Sequence, residues 1–195
     1  MRKNIDQLLH IETEEIQKDG KDTFHLHRYE PTPYPVLCRL FTIFPLQPSD
    51  TLVDYGCGLG RLNFYVESEF HCTSIGVEMS QYYFERAMKN LDTYTGIRNH
   101  ITFCHCLAQE YHVCTNENIF YFFNPFSPAI FRQVINRILN SYYISPRELT
   151  LILYYPEDEI LFYLTNHTDF KLFTEVEAVK GTLDRRERFS IWKLL

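Results

Sequence analysis

The feature that most constrains this chain is a glycine-rich turn, Asp54-Tyr55-Gly56-Cys57-Gly58-Leu59-Gly60, between a predicted strand and a predicted helix. Glycines let the backbone turn steeply and let a ligand approach the main chain within contact distance. The helix that follows presents unpaired backbone N–H groups at its start. Glu78 ends the next predicted strand, where a carboxylate can accept hydrogen bonds from both hydroxyls of a ribose. The combination predicts a nucleoside-binding site rather than a tight turn without a ligand.

The spacing of the glycines indicates which nucleoside is bound. Dinucleotide sites use Gly-x-Gly-x-x-Gly, in which the last glycine allows close helix packing beneath a pyrophosphate. This chain has Gly56-x-Gly58-x-Gly60 and places Arg61 where the last glycine of that pattern would fall. Asp54 precedes the glycines, and its charge is unfavourable beside a pyrophosphate but favourable beside an ammonium and a sulfonium. These features favour S-adenosylmethionine (SAM) over NAD, and a nicotinamide-dependent oxidoreductase remains a weaker alternative.

The pattern Val-Asp-x-Gly-Cys-Gly-x-Gly, followed by Gly76-Val77-Glu78, resembles that of class I SAM-dependent methyltransferases. The similarity in the order of strands and helices runs from about Thr51 to the C-terminus. The resemblance implies a methyltransferase in which the glycine loop holds the methionine part of SAM, Asp54 its amine and Glu78 its ribose. The cofactor-binding residues that it implies are Asp54, Tyr55, Gly56, Cys57, Gly58, Gly60, Glu78, Met79, Leu107, Ala108 and Asn124.

The segment that would contact the adenine departs from the family. Members often carry an acidic residue after the third strand, which accepts a hydrogen bond from the adenine amine. Here residues 104–109 read Cys-His-Cys-Leu-Ala-Gln, without a carboxylate. Backbone groups near Leu107 and Ala108, or the side chain of Gln109, are expected to replace it.

Strands alternate with helices along the chain, which predicts a largely parallel sheet covered on both faces. Predicted strands cover residues 51–54, 73–78, 101–106, 118–123, 148–155, 171–179 and 188–194. Predicted helices cover residues 36–44, 61–70, 81–94, 129–143 and 158–166, after a weakly amphipathic first stretch that ends near residue 22. The last two strands form an antiparallel hairpin through Gly181. The fold class is therefore α/β, a doubly wound, mostly parallel seven-stranded sheet with an antiparallel C-terminal hairpin, Rossmann-like as in the methyltransferases.

Residues 1–195 are expected to form a single SAM-dependent methyltransferase domain. Residues 1–48 would form an N-terminal helical and lid segment, and residues 49–195 the Rossmann-like core. Within the first segment, Tyr29-Glu30-Pro31-Thr32 is placed to fold over the cofactor. This Tyr-x-Pro-Thr segment, together with the Gly60-Arg61 end of the glycine loop, is similar to histone-lysine methyltransferases outside the SET class. The likeness covers too few residues to carry over a substrate.

The predicted catalytic residues are Asn124, Pro125 and Phe126, at the end of the fourth strand. Asn124-Pro125-Phe126-Ser127 resembles the Asn/Asp-Pro-Pro-Tyr/Phe motif of methyltransferases that act on amino groups of bases or glutamine. In those enzymes the Asn side chain and a proline carbonyl accept hydrogen bonds from the amino group, and the aromatic ring stacks on it. This chain has one proline, and its aromatic residue comes one position early. A simple turn after the strand is the alternative, and the methylated atom stays open.

The composition of the chain limits the kinds of partner that it is expected to bind. The net charge of -6 argues against general affinity for nucleic acid, so a small-molecule or protein substrate is expected. No apolar stretch approaches the roughly 20 residues that a bilayer requires. The N-terminus lacks the apolar core of a secretory signal, and six cysteines are then best interpreted as reduced thiols, which predicts a cytoplasmic protein. The oligomeric state is open.

Two further interpretations concern a metal site and a non-catalytic role. Zinc binding by Cys104, His105, Cys106, His112 and Cys114 is disfavoured, because structural zinc pairs usually sit on Cys-x2-4-Cys turns, so no metal is expected. A non-catalytic SAM-binding protein, acting as a partner or regulatory subunit on a degenerate methyltransferase fold, remains the alternative function. The missing acidic residue after the third strand and the shortened Asn-Pro-Phe motif favour it, whereas the intact glycine loop and Glu78 oppose it.

Overall fold

A computed structural model describes residues 4–14, 30–124 and 126–195. The strands within these ranges are β1 Thr51–Tyr55, β2 Thr73–Glu78, β3 Ile101–His105, β4 Ile119–Phe123, β5 Leu149–Tyr154, β6 Lys171–Glu177 and β7 Arg188–Leu194. The helices are α1 Ile5–Leu9, α2 Tyr34–Ile43, α3 Arg61–Phe70, α4 Gln81–Thr93, α5 Pro128–Ile144 and α6 Asp158–His167.

The seven strands form one sheet in the order β3-β2-β1-β4-β5-β7-β6. The first five strands pair in parallel, and β7 lies antiparallel between β5 and β6. The predicted fold class is therefore confirmed, including the antiparallel C-terminal hairpin. The strand order reverses between β1 and β4, and open α/β sheets bind their ligands at the carboxyl ends of the strands at such a point.

The fourth strand shows why the sheet is covered on both faces. Successive side chains of a strand point to opposite faces. Phe120 and Phe122 pack in a buried cluster with residues of α5, whereas Ile119 and Tyr121 pack in another with residues of α2. The unbroken apolar run of β4 therefore serves two hydrophobic cores at once, and its predicted burial on both faces is confirmed.

The N-terminal helix is shorter than predicted. It ends at Leu9, because His10 adopts a left-handed conformation with a φ of 58°. The chain then folds back, and the carboxylate of Asp6 accepts hydrogen bonds from the backbone N–H and the hydroxyl of Thr13. The remainder of the predicted stretch, residues 15–22, lies outside the described residues.

The start of α2 differs from expectation, and the start of α4 lacks a side-chain cap. Helix α2 begins at Tyr34 rather than residue 36, because Pro35 occupies the first turn, where its missing N–H costs nothing. Ser80 precedes α4, and its side chain makes no capping hydrogen bond, although serine is a common N-cap residue. The backbone N–H of Ser80 instead donates to Oε1 of Glu78 at 2.7 Å. None of the helices in the described ranges is both long and apolar enough to cross a membrane.

Candidate cofactor and acceptor site

A cavity of about 540 Å³ opens at the carboxyl ends of β1, β2 and β4, where the strand order reverses. It is lined by the glycine loop, the end of β2, residues 106–109, the end of β4 and residues 30–32. The predicted site residues that line it are Asp54, Gly56, Cys57, Gly58, Glu78, Met79, Leu107, Ala108, Asn124 and Phe126. The structure thus brings together residues that are separated by up to 72 positions in the chain.

Two predicted residues do not line the cavity, and a third is not described. Tyr55 is buried, and its ring turns away from the cavity to stack on Phe122 at 5.1 Å, because alternate residues of β1 face opposite sides of the sheet. Gly60 lies beneath the loop as the residue before α3 and does not line the cavity. Pro125 lies outside the described residues.

The glycine loop requires its glycines for conformation. Gly56, Gly58 and Gly60 have φ values of 82°, 55° and 84°, in the left-handed region that L side chains rarely adopt. The backbone N–H of Gly56 donates to the carbonyl of Val77 at 2.8 Å, which fixes the loop to the end of β2. At Gly60 a Cβ atom would also meet Cζ of Phe103 at 2.6 Å, so the loop packs directly on β3.

Glu78 joins β2 to the glycine loop. Its Oε2 accepts a hydrogen bond from the N–H of Gly58 at 2.9 Å, and its Oε1 accepts one from the N–H of Ser80. Burial raises the pKa of this carboxyl, and the hydrogen bonds oppose that rise. A carboxylate has about four lone-pair positions, so both oxygens retain capacity for the hydroxyls of a ribose.

Asp54 is 5% exposed and carries a strongly shifted pKa. Burial, with a smaller contribution from the charge of Glu78, raises the pKa of Asp54 to about 8. Without a cation beside it, Asp54 is therefore largely protonated at neutral pH, whereas an ammonium group would favour its ionised form. Two buried carboxyl groups in one cavity fit a ligand that carries positive charge, as SAM does with its amine and sulfonium.

The end of the cavity that is expected to hold the adenine lacks the acidic residue that is common in the family, because residues 104–109 contain no carboxylate. Leu107, Ala108 and Gln109 line it, and the segment Ala108–Glu110 forms a short 3-10 turn. The N–H of Cys106 donates to the carbonyl of Glu78 at 3.2 Å, which holds this segment against the end of β2. Tyr83 of α4 also lines the cavity, and sequence reasoning did not single it out for the site.

The opposite end of the cavity is aromatic and holds Asn124. This residue has a φ of 38°, and its Oδ1 is buried without a hydrogen-bond partner among the described residues. Phe123, Phe126 and Tyr155 line the same cavity. Tyr155 is a non-glycine residue with a φ of 53°, and its hydroxyl donates to Asp184 in the connection between β6 and β7.

Residues 30–32 of the N-terminal segment form one wall of the cavity. Glu30, Pro31 and Thr32 line the cavity, and the hydroxyls of Thr32 and Tyr121 are hydrogen-bonded at 2.8 Å. Tyr29, the first residue of the expected lid, lies outside the described residues. The pairing of Thr32 with Tyr121 spans 89 positions, which is why the sequence indicated a lid but not its attachment.

The thiol of Cys57 lies at the cavity but is poorly suited to act as a nucleophile. Burial, with the nearby charges of Asp54 and Glu78, raises the pKa of the Cys57 thiol well above its usual value, which disfavours a nucleophilic role. All six cysteines are unpaired. Within the ranges that the structure describes, no group of three or more His, Cys, Asp or Glu side chains is arranged to hold a metal ion.

Several solved structures with this fold are complexes with SAM or its demethylated product. An RNA methyltransferase from Salinibacter ruber, in complex with S-adenosyl-L-homocysteine (SAH), is 15% identical over 84% of this chain and 92% of that chain, with a TM-score of 0.55. The glycopeptide N-methyltransferase MtfA, complexed with SAM, is 11% identical over 90% and 100%, with a TM-score of 0.63. Geranyl diphosphate C-methyltransferase from Streptomyces coelicolor, in complex with SAH, is 12% identical over 81% and 75%, with a TM-score of 0.57. Their acceptors differ, so the shared fold does not determine an acceptor.

The fold and the cavity match those of class I SAM-dependent methyltransferases, and the residues that line the cavity fit SAM as the cofactor. The profile of the family described as "Histone methylation protein DOT1" matches residues 13–111, just over half of the chain. The chain therefore belongs to the DOT1 family. Membership implies transferase activity in general and confirms the resemblance to methyltransferases. Among curated proteins, no sequence matches this chain.

Proposed function

We propose that this protein transfers the methyl group of SAM to an amino nitrogen of a protein substrate, positioned by Asn124. The observation that carries the proposal is the unpartnered Oδ1 of Asn124, buried beside the aromatic end of the cavity. A buried acceptor without a donor costs about 1–3 kcal/mol. An N–H of an entering amine offers the missing donor, so the site gains when the substrate binds.

The aromatic wall supports an amine acceptor for a second reason. Phe123, Phe126 and Tyr155 line the same end of the cavity and provide little solvation for a charged ammonium. An apolar environment lowers the pKa of an amine and favours its neutral form. The neutral form has the lone pair that attacks a methyl group.

The roles of this chain's residues follow from the chemistry of the transfer. SAM supplies the electrophilic methyl group, and the reaction is an in-line displacement that gains mainly from alignment and exclusion of water. Asp54 would hold the amine of the cofactor, Glu78 its ribose, and the glycine loop its methionine part. Asn124 would orient the nitrogen, and Phe126 would exclude water beside it. No strong acid is needed, and the thiol of Cys57 takes no part.

A protein substrate is supported by the family's description, which concerns histone methylation. A net charge of -6 favours basic peptides over nucleic acid as partners. Six unpaired cysteines support a reducing compartment, and we infer a cytoplasmic protein. The described helices include none able to span a membrane.

The test is transfer of radiolabelled methyl from SAM to separate pools of basic protein, free amino acids and RNA. The expected product is methyl-lysine in protein. Asn124→Ala should lower the rate about 100-fold, because the nitrogen loses its alignment. Asn166→Ala, at an exposed asparagine of α6, is the matched control and should keep full activity. Label in RNA or free amino acids, or full activity of Asn124→Ala, would contradict the proposal.

A further inference from the structure

Arg61 carries a buried guanidinium group, and only part of that group is hydrogen-bonded to other described residues. It is the first residue of α3, is 6% exposed and lines the cofactor cavity. Among the described residues that line this cavity, Arg61 is the one with a basic side chain. Arginine is almost never fully buried unless it is paired. Each side of the buried guanidinium is therefore expected to have a partner.

One side of the guanidinium is held firmly. Its Nε donates a hydrogen bond to the hydroxyl of Thr13 at 2.8 Å, and that hydroxyl donates in turn to Asp6. The guanidinium carbon lies 4.7 Å from the centre of the Tyr34 ring. The hydroxyl of Tyr34 also donates to Asp6. These contacts fix the orientation of Arg61 and tie it to the N-terminal segment.

The hydrogen-bonding capacity of the other side of the guanidinium is not satisfied by the described residues. Nη2 is buried and has no hydrogen-bond partner among the described residues. Its nearest charged partner is Oε1 of Glu14 at 3.7 Å, beyond hydrogen-bond distance, and the Glu14 side chain is 66% exposed. An ion pair with so exposed a partner contributes little. Arg61 thus lines the cavity while its Nη2 lacks a hydrogen-bond partner among the described residues.

We propose that Nη2 of Arg61 binds the carboxylate of the methionine part of SAM. That carboxylate is the anionic group of the cofactor, whereas Asp54 and Glu78 are suited to its amine and ribose. The N–H groups in the first turn of α3, a helix of ten residues, lie at the same place and favour an anion. Arg61, the residue that departs from the dinucleotide pattern, then has a function of its own. The inference rests on SAM as the cofactor and is independent of the methyl acceptor.

The test compares two ligands, SAH and its decarboxylated analogue, by isothermal titration calorimetry. Wild-type protein should bind SAH more tightly by about 10- to 100-fold, the usual effect of a charge-assisted hydrogen bond. Arg61→Gln should lose that preference while its affinity for the analogue changes little. Arg61→Lys should retain part of it. Arg132→Gln, at an exposed arginine of α5, is the matched control and should preserve both affinities.

Arg61 also contacts Thr13 and Tyr34, so thermal unfolding must show that each variant is folded. Glu14→Gln provides a variant that spares these contacts. It removes the competing anion from Nη2 and should tighten SAH about two- to fivefold without affecting the analogue. Equal wild-type affinity for both ligands would overturn the proposal. So would an equal loss of both affinities in Arg61→Gln or, if that variant does not fold, no carboxylate-specific gain in Glu14→Gln. Failure of wild type to bind either ligand would instead contradict SAM as the cofactor.

Discussion

Oε2 of Glu78 accepts a hydrogen bond from the backbone N–H of Gly58, at 2.9 Å, across the gap between β2 and the glycine loop. The carboxylate expected to bind the ribose therefore also fixes the loop expected to bind the methionine part. This hydrogen bond holds the loop from within the protein itself, so less ordering is needed when the cofactor binds. A change at Glu78 should consequently affect both parts of the cofactor.

Glu78→Gln should weaken SAH binding about 10- to 100-fold, the equivalent of one or two charged hydrogen bonds. Both oxygens of Glu78 accept from backbone N–H groups, so a glutamine must turn its NH2 group towards one of those donors. Calorimetric titration measures the loss. Glu85→Gln, at an exposed position of α4, is the control and should bind like wild type. Unchanged affinity of Glu78→Gln would remove Glu78 from the site.

The pKa of Asp54, raised to about 8, predicts a pH-dependent affinity for SAM. Binding of the cofactor's amine requires the ionised carboxylate, so below pH 8 binding must release a proton. Affinity should therefore rise by up to about tenfold per pH unit between pH 6 and 8 and level off above. Calorimetry in buffers of different ionisation enthalpy measures the proton release. Asp54→Asn should bind more weakly and lose the slope, and an equal slope in that variant would assign it to another group.

The same pKa predicts how the stability of the cofactor-free protein depends on pH. The native state holds the Asp54 proton up to about pH 8, whereas an unfolded Asp loses it near pH 4. Between these values the native state binds more protons, so the free energy of unfolding should fall as pH rises. Urea unfolding at pH 5 and pH 8 measures the fall. It should be smaller in Asp54→Asn than in wild type, and the same fall in both proteins would contradict the shifted pKa.

Gly60 and Gly181 form a matched pair for testing the packing of the glycine loop. Both have positive φ values, 84° and 75°. A Cβ at Gly60 would lie 2.6 Å from Phe103, whereas a Cβ at Gly181 would meet nothing within 4 Å. Gly181→Ala should cost about 1–2 kcal/mol from backbone strain. Gly60→Ala should cost a further 1–3 kcal/mol, roughly, from overpacking. Denaturant unfolding compares them, and equal losses would show that the loop can shift away from Phe103.

The parts of the site that the sequence predicts are the local ones. The glycine loop, Asp54 and Glu78 are recognisable because conformation and chemistry are specified within a few neighbouring residues. The largely parallel sheet is likewise predictable from the alternation of strands and helices, whereas the order of the strands is not. Tyr55 shows the limit of such reasoning, because a residue inside the motif faces the core and not the ligand.

The parts that the sequence does not predict depend on pairs that are distant in the chain. Thr32 with Tyr121, Tyr155 with Asp184 and Arg61 with Thr13 meet only because the sheet and the N-terminal segment bring them together. No local pattern marks such pairs. The free Nη2 of Arg61 and the free Oδ1 of Asn124 are visible only when every partner is accounted for in three dimensions.

The most direct test of the central claim is calorimetric titration of the purified, folded protein with SAM, SAH and NAD. SAM and SAH should each bind at one site and compete with each other, while NAD should give no heat. Folded wild-type protein that binds neither sulfur nucleoside, or that binds NAD in their place, would contradict the assignment of this cavity to SAM.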